Sequence, residues 1–132
     1  MANGTIAFDT LSTSGQISGT AVSVDTDYLA YGSAKHWVNI NGDTPAARNS
    51  LNNASLTDGG NGNYTITRTN NFSAVNYCCQ GGGNSSASGD GRITALDEAT
   101  LSTSANEIYN RSDANGVQDD LHVNISFLGE LA

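Results

Sequence analysis

Two cysteines, one proline, one tryptophan and five basic side chains are all that these 132 residues hold in those classes. Each scarcity excludes something. The cysteines are neighbours, Cys78 and Cys79, and adjacent residues of an extended segment point to opposite faces, so they are badly placed to bond each other. No disulfide framework is available, and the pair fits synthesis in a reducing compartment. Lys35, Arg48, Arg68, Arg92 and Arg111 are scattered in a chain of net charge -8. No basic stripe exists to neutralise phosphates, so nucleic acid is not an expected partner. Apolar runs are a few residues long against the ~20 that a membrane span requires. The N-terminus shows no basic region followed by an apolar one. The chain is therefore expected to be soluble, with no membrane partner, and to begin at its own Met1.

Large aliphatics are scarce too. Leu, Ile, Val and Phe number 25, while Asn, Ser and Thr number 16, 15 and 13. A highly charged chain with so few apolar residues would suggest disorder, but here the polarity is mostly neutral. The length fits one domain with a thin core and excludes a multidomain enzyme. Seven Asn-x-Ser/Thr triplets begin at Asn3, Asn53, Asn63, Asn71, Asn84, Asn110 and Asn124. In a composition so rich in these residues they are read as coincidence.

No stretch of twelve residues keeps a helical apolar face. Period-two segments recur instead. Thr5 to Asp9 places Ile6 and Phe8 on one face, and Ile17 to Val24 reads as one further strand. Ala34 to Ile40 sets His36, Val38 and Ile40 against Trp37 and Asn39, and Asn63 to Thr69 sets Tyr64 and Ile66 against Thr65 and Thr67. Val75 to Cys79, Gly91 to Leu96 and Glu107 to Asn110 are shorter candidates. Leu121 to Leu128 is the clearest, with Val123, Ile125 and Phe127 or Leu128 alternating with His122, Asn124 and Ser126. Asn41-Gly42-Asp43, the run from Asp58 to Asn63, and Asn115-Gly116 supply turn residues that tolerate positive φ. Gly81 to Gly91 reads as a mobile loop, because it has almost nothing to bury. Around Ala46 to Leu51 two readings stand: a helical turn with Thr44 as N-cap and Pro45 in the first position, or an irregular strand from Arg48 to Leu56.

Regular strands and turns predict an all-β, single-domain antiparallel β-sandwich, of jelly-roll or immunoglobulin-like type, over residues 1–132. Residues 1–24 are read either as part of it or as an extended arm or strand used in assembly. Expected packing residues are Trp37, Val38, Ile40, Tyr64, Ile66, Val123, Ile125 and Phe127. Trp37, the largest apolar side chain, is expected to anchor sheet against sheet.

Chemistry-bearing groups are few. Asp113, Asn115, Asp119 and Asp120 place oxygens before and after Gly116 in the manner of a calcium loop, but the closing Glu is missing. A solvated acidic loop is the preferred reading, and no metal or other cofactor is expected. His36 shares a face with Val38 and Ile40, which favours a core-edge or interface histidine over a ligand shared across a symmetry axis; His122 is read as solvated. Cys78 and Cys79 lack a base and sit in an apolar segment. Asp97 and Glu98, adjacent on a strand, would face opposite ways. Gly81 to Gly83 lack the Lys and the following helix of a phosphate loop. Lys35 and the aspartates Asp25, Asp27 and Asp58 are candidates for surface ion pairs of small energetic weight. Catalysis is not expected.

Three passages together resemble a group of small bacteriophage virion proteins, of marine phages, described as tail-fibre-like or structural. They are Met1 to Val24, opening MANGTIAFDTLSTSG; GSAKHWVNINGD (Gly32 to Asp43) running into SLTDGGNGNYTITRTNNFSAVNY (Ser55 to Tyr77); and VNISFLGELA (Val123 to Ala132). The middle, from Cys78 to Gly116, is unmatched, and His36 and Cys78-Cys79 depart from the pattern. The resemblance implies a virion part assembled in the host cytoplasm: a fibre-like or tail-associated subunit, or a capsid decoration or head fibre. It carries no catalytic residues. Expected partners are sister copies, most simply three, and other virion proteins. The alternative is a host-surface glycan-binding module using loops rich in Asn, Ser and Asp with Tyr28, Tyr31 and Tyr109 as stacking rings.

Overall fold

The computed structural model describes residues 15–18, 23–84, 92–112 and 116–132. Two antiparallel sheets pack face to face. One has the order β4-β3-β11-β7, built from β3 (Ala34–Asn41), β4 (Ala46–Leu51), β7 (Cys78–Asn84) and β11 (His122–Leu128). The other runs β5-β6-β9-β8, from β5 (Asn53–Asp58), β6 (Asn63–Arg68), β8 (Arg92–Leu96) and β9 (Ala105–Ser112), with the short β10 (Gly116–Val117) also paired to β9. This is the all-β sandwich that alternation and turn chemistry predict.

Alternation works because one face of each central strand is dry. Buried and half-buried residues alternate along β3, β6, β9 and β11, so Val38, Ile40, Tyr64, Ile66, Ile108, Val123, Ile125 and Phe127 meet in the middle, joined by Phe72. Full burial of such a side chain contributes roughly 1.5–3 kcal/mol, so nine of them make a modest core for a chain of this length. Seven of the eight expected packing residues belong to it. Trp37 does not: with His36, Val38 and Ile40 turned inward, the pleat turns Trp37 and Asn39 outward.

Several other expectations are corrected. Ile17 to Val24 is not one strand but an antiparallel pair, β1 (Gln16–Ser18) with β2 (Ser23–Asp25), registering Ile17 opposite Val24. A seven-residue helix follows, α1 (Thr26–Gly32), too short to show a helical apolar period. Thr5 to Asp9, and most of the proposed N-terminal arm, lie outside the described residues. Of the two readings for Ala46 to Leu56 the strand is right, as two strands joined through Asn52 at φ 57°, a value Asn tolerates. The strand expected at Val75 to Cys79 begins only at Cys78 and continues through Gly81 to Asn84, part of the segment expected to be loop.

Glycine explains that last difference. Gly81 and Gly83 register with the buried Ile125 and Val123, so they occupy core positions of β7. A Cβ on Gly81 would lie 2.6 Å from the Thr94 carbonyl oxygen, and one on Gly83 2.7 Å from Asn110 Oδ1. The sheets close here almost backbone to backbone. At the β5–β6 turn the requirement is different: Gly62 sits at φ 68°, and its Cβ would lie 2.4 Å from the Gln118 nitrogen.

Candidate functional site

The interior is unusually polar, and its polar groups answer one another. At one end Arg68 is enclosed by the rings of Phe72, Tyr77 and Phe127, at 4.7, 5.0 and 4.8 Å from guanidinium carbon to ring centroid. It donates to the Ser102 and Thr103 carbonyls and to Asn106 Oδ1. Asn106 donates in turn to the Tyr77 hydroxyl at 2.7 Å. Burial lowers the Arg68 pKa without removing its charge. His36 stacks on Phe127 in the same cluster, fully buried, and its pKa is lowered to about 4, by burial first and the Arg68 charge second.

At the opposite end Asp120 Oδ2 accepts from Arg92 Nε at 2.6 Å and from Asn110 Nδ2 at 2.5 Å, with both ion-pair side chains buried. Asp119 Oδ1 accepts from the Tyr64 hydroxyl and from the Gly62 amide, each at 2.7 Å. Burial and that carboxylate push the Tyr64 phenol well above its ordinary range. These carboxylates therefore tie the β9–β11 connection to the core, which is structural work. Asp113 and Asn115 lie outside the described residues, and among the described ones no group of three His, Cys, Asp or Glu side chains is gathered to hold a metal.

Other singled-out residues are equally committed. Asp97 is not a strand residue; it caps a 3-10 turn (Glu98–Thr100), accepting from the Ala99 amide at 2.9 Å and the Tyr109 hydroxyl at 2.8 Å. Those bonds lower the Asp97 pKa and raise that of Tyr109 to about 12. Tyr109 is thus engaged, whereas Tyr28 and Tyr31 stand exposed on α1. Asp58 turns its carboxylate to the Gly60 amide at 2.9 Å. Cys78 is exposed rather than embedded, and Cys79 is half-buried with its thiol pKa raised chiefly by burial. His122 is half-buried at the start of β11.

The outer face of the four-stranded sheet is where unspent groups converge. Registration sets Gln80, Ser126, Trp37 and Leu51 in one cross-strand row and Gly82, Asn124, Asn39 and Asn49 in the next. Asn39 Nδ2 donates to Asn124 Oδ1. Trp37, Gln80, Gly81, Gly82, Asn124, Ile125 and Ser126 line a groove of about 370 Å3. None of them carries charge. Sequence reasoning saw Trp37 but sent it inward; the parity of His36, Val38 and Ile40 was the signal that placed it here. Asn124 and Ser126 were visible as outward positions of the last strand, whereas Gln80, Gly81 and Gly82 had no signal, Gly82 contributing by lacking a side chain. In comparisons with known proteins, the chain matches no family model, no curated protein and no solved structure.

Proposed function

We propose that the chain is a non-enzymatic structural subunit of a bacteriophage virion, fibre-like or tail-associated, that works as a homo-oligomer of three copies; capsid decoration or a head fibre is the other position in the particle. One observation supports assembly above all. A chain short of apolar residues leaves Ile93 66% exposed on β8 and Leu51 48% exposed on β4, and among the described residues β8 pairs with β9 alone and β4 with β3 alone. Sister copies would bury these side chains and cover strand borders that otherwise invite uncontrolled pairing. The polar interior fits the same account: it fixes one arrangement of strands at little gain in burial, so contacts between copies add the remainder. Sedimentation at low micromolar concentration tests it. Three chains per particle are expected, with Ile93→Glu shifting the mass towards one chain; a stably folded monomer of the unmodified chain contradicts it.

A second reading, contact with host-surface glycan, is favoured by one observation, the outward position of Trp37. In this reading the tyrosines of α1 are secondary and the sheet face is the contact.

A further inference from the structure

We propose that the groove over Gly82 is a binding site for a neutral saccharide, with Trp37 as its stacking wall and the Asn39–Asn124 pair as its hydroxyl-reading group. The proposal rests on the glycan-contact reading and names its ligand class and residues.

Three features converge on a sugar. The first is the ring. Trp37 is half-buried on the outer face, and none of the ring-stacking contacts of the interior involves it. An indole that lines a groove beside polar groups suits the C–H face of a pyranose, which is apolar on one side and rimmed by hydroxyls.

The second is the amide pair. Because Asn39 Nδ2 donates to Asn124 Oδ1, each side chain spends one of its two polar atoms on the other. Asn39 Oδ1 and Asn124 Nδ2 have no other hydrogen-bond partner among the described residues. Asn124 lines the groove and Asn39 stands beside it on the next strand, so the pair presents one acceptor and one donor, fixed side by side by the Asn39–Asn124 register. Adjacent hydroxyls of a sugar ring need such a complementary pair. Mutual bonding also holds both side chains in place before a ligand arrives, which lowers the ordering cost of binding.

The third is the floor. Gly82 lies opposite Asn124 on β7, and a Cβ built on it meets nothing within 4 Å. Its glycine is not forced by packing, unlike Gly81 beside it, so the space above is open for a ligand. The lining is uncharged although the chain carries a net charge of -8. With no cation present in the lining, an acidic sugar has no partner, and the groove selects neutral rings. About 370 Å3 holds one or two of them.

The single tryptophan makes the test direct, because the chain's indole fluorescence comes from this groove alone. Titration with malto-, cello- and N-acetylglucosamine oligosaccharides is expected to give a saturable change with one of them, at a dissociation constant of order 1 mM. Polygalacturonate oligomers serve as the acidic comparison and are expected to give none. Asn124→Ala should weaken binding about fivefold, the worth of one hydrogen bond. Gly82→Val, which fills the floor at a position free of contacts, should abolish binding while thermal unfolding shows the fold intact.

No saturable change with any of the neutral oligomers overturns the site, as does binding that neither variant alters. A fluorescence shift that follows protein concentration instead of sugar would assign the groove to contact between copies, and also overturns it. Sedimentation reports the oligomer separately, so loss of the sugar site leaves the assembly reading standing or falling on its own result.

Discussion

The imidazole of His36 lies against the ring of Phe127 with centroids 5.0 Å apart and planes 11° from parallel, and no water-facing route remains for its protonated form. Its Nε2 is 3.4 Å from Asn53 Oδ1, while Nδ1 is buried with no hydrogen-bond partner. A neutral ring tolerates this setting. A charged one, with Arg68 in the same cluster, does not.

Acid sensitivity follows from that contact. The pKa of His36 is about 4 in the folded chain and an ordinary 6.5 when unfolded. Between these values the unfolded chain takes up a proton that the folded chain refuses, so stability falls as pH drops from about 6.5 to about 4 and levels off below. The whole effect is at most about 3 kcal/mol. Urea unfolding at pH 7.5 and 4.5 should show it in the unmodified chain and show less of it in His36→Phe, which keeps the stack and cannot titrate. Equal losses in both would assign the acid response to the carboxylates.

Two substitutions on adjacent strands should separate surface from core. Ile125→Ala removes a side chain from the dry centre and is expected to cost about 2–5 kcal/mol. Trp37→Ser removes the largest side chain in the sequence and should cost well under half as much, because Trp37 stands on the outer face. Denaturant midpoints of the two variants decide it, and a larger loss for Trp37→Ser would contradict the outward placement.

Neighbouring glycines of β7 should respond oppositely. Gly81→Ala drives a methyl to 2.6 Å from a backbone oxygen of β8, so it should destabilise by about 1–3 kcal/mol. Gly82→Ala meets open space and should be neutral or stabilising by about 0.5 kcal/mol, through the lower entropy of the unfolded chain. Thermal unfolding of both variants is the measurement; equal effects would mean that the two sheets are not in close approach there.

How far the fold could be read from the sequence depended on whether an element has one dry face. β6 and β11 do, and Tyr64, Ile66, Val123, Ile125 and Phe127 show it by alternation. β4 and β5 each lie at the border of a sheet with most side chains exposed, so Ala46 to Leu51 carried no period to read. β7 was hidden for a different reason: its core positions are Gly81 and Gly83, and a core built by close approach leaves no apolar signal. Trp37 was misplaced because size outweighed parity. His36 holds the interior position that Trp37 was expected to fill, and its stack on Phe127 makes a buried imidazole acceptable. Arg68 and Phe72 were not singled out, since an isolated aromatic after a strand has no spacing to mark it, and a buried Arg becomes legible only with its three rings around it. The groove was half legible: Asn124 and Ser126 of its lining, and Asn39 beside it, were visible as the outward set of two strands, but their adjacency depends on β11 lying between β3 and β7.

The central claim is that the chain is a repeated part of a phage particle, and the most direct test is a cryo-electron microscopy map of particles purified from the culture that produces it. The account predicts density for the sandwich in threefold groups at the tail, a fibre or the capsid surface, with Ile93 and Leu51 at contacts between copies. Particles that lack the chain, by mass spectrometry and by map, would contradict it.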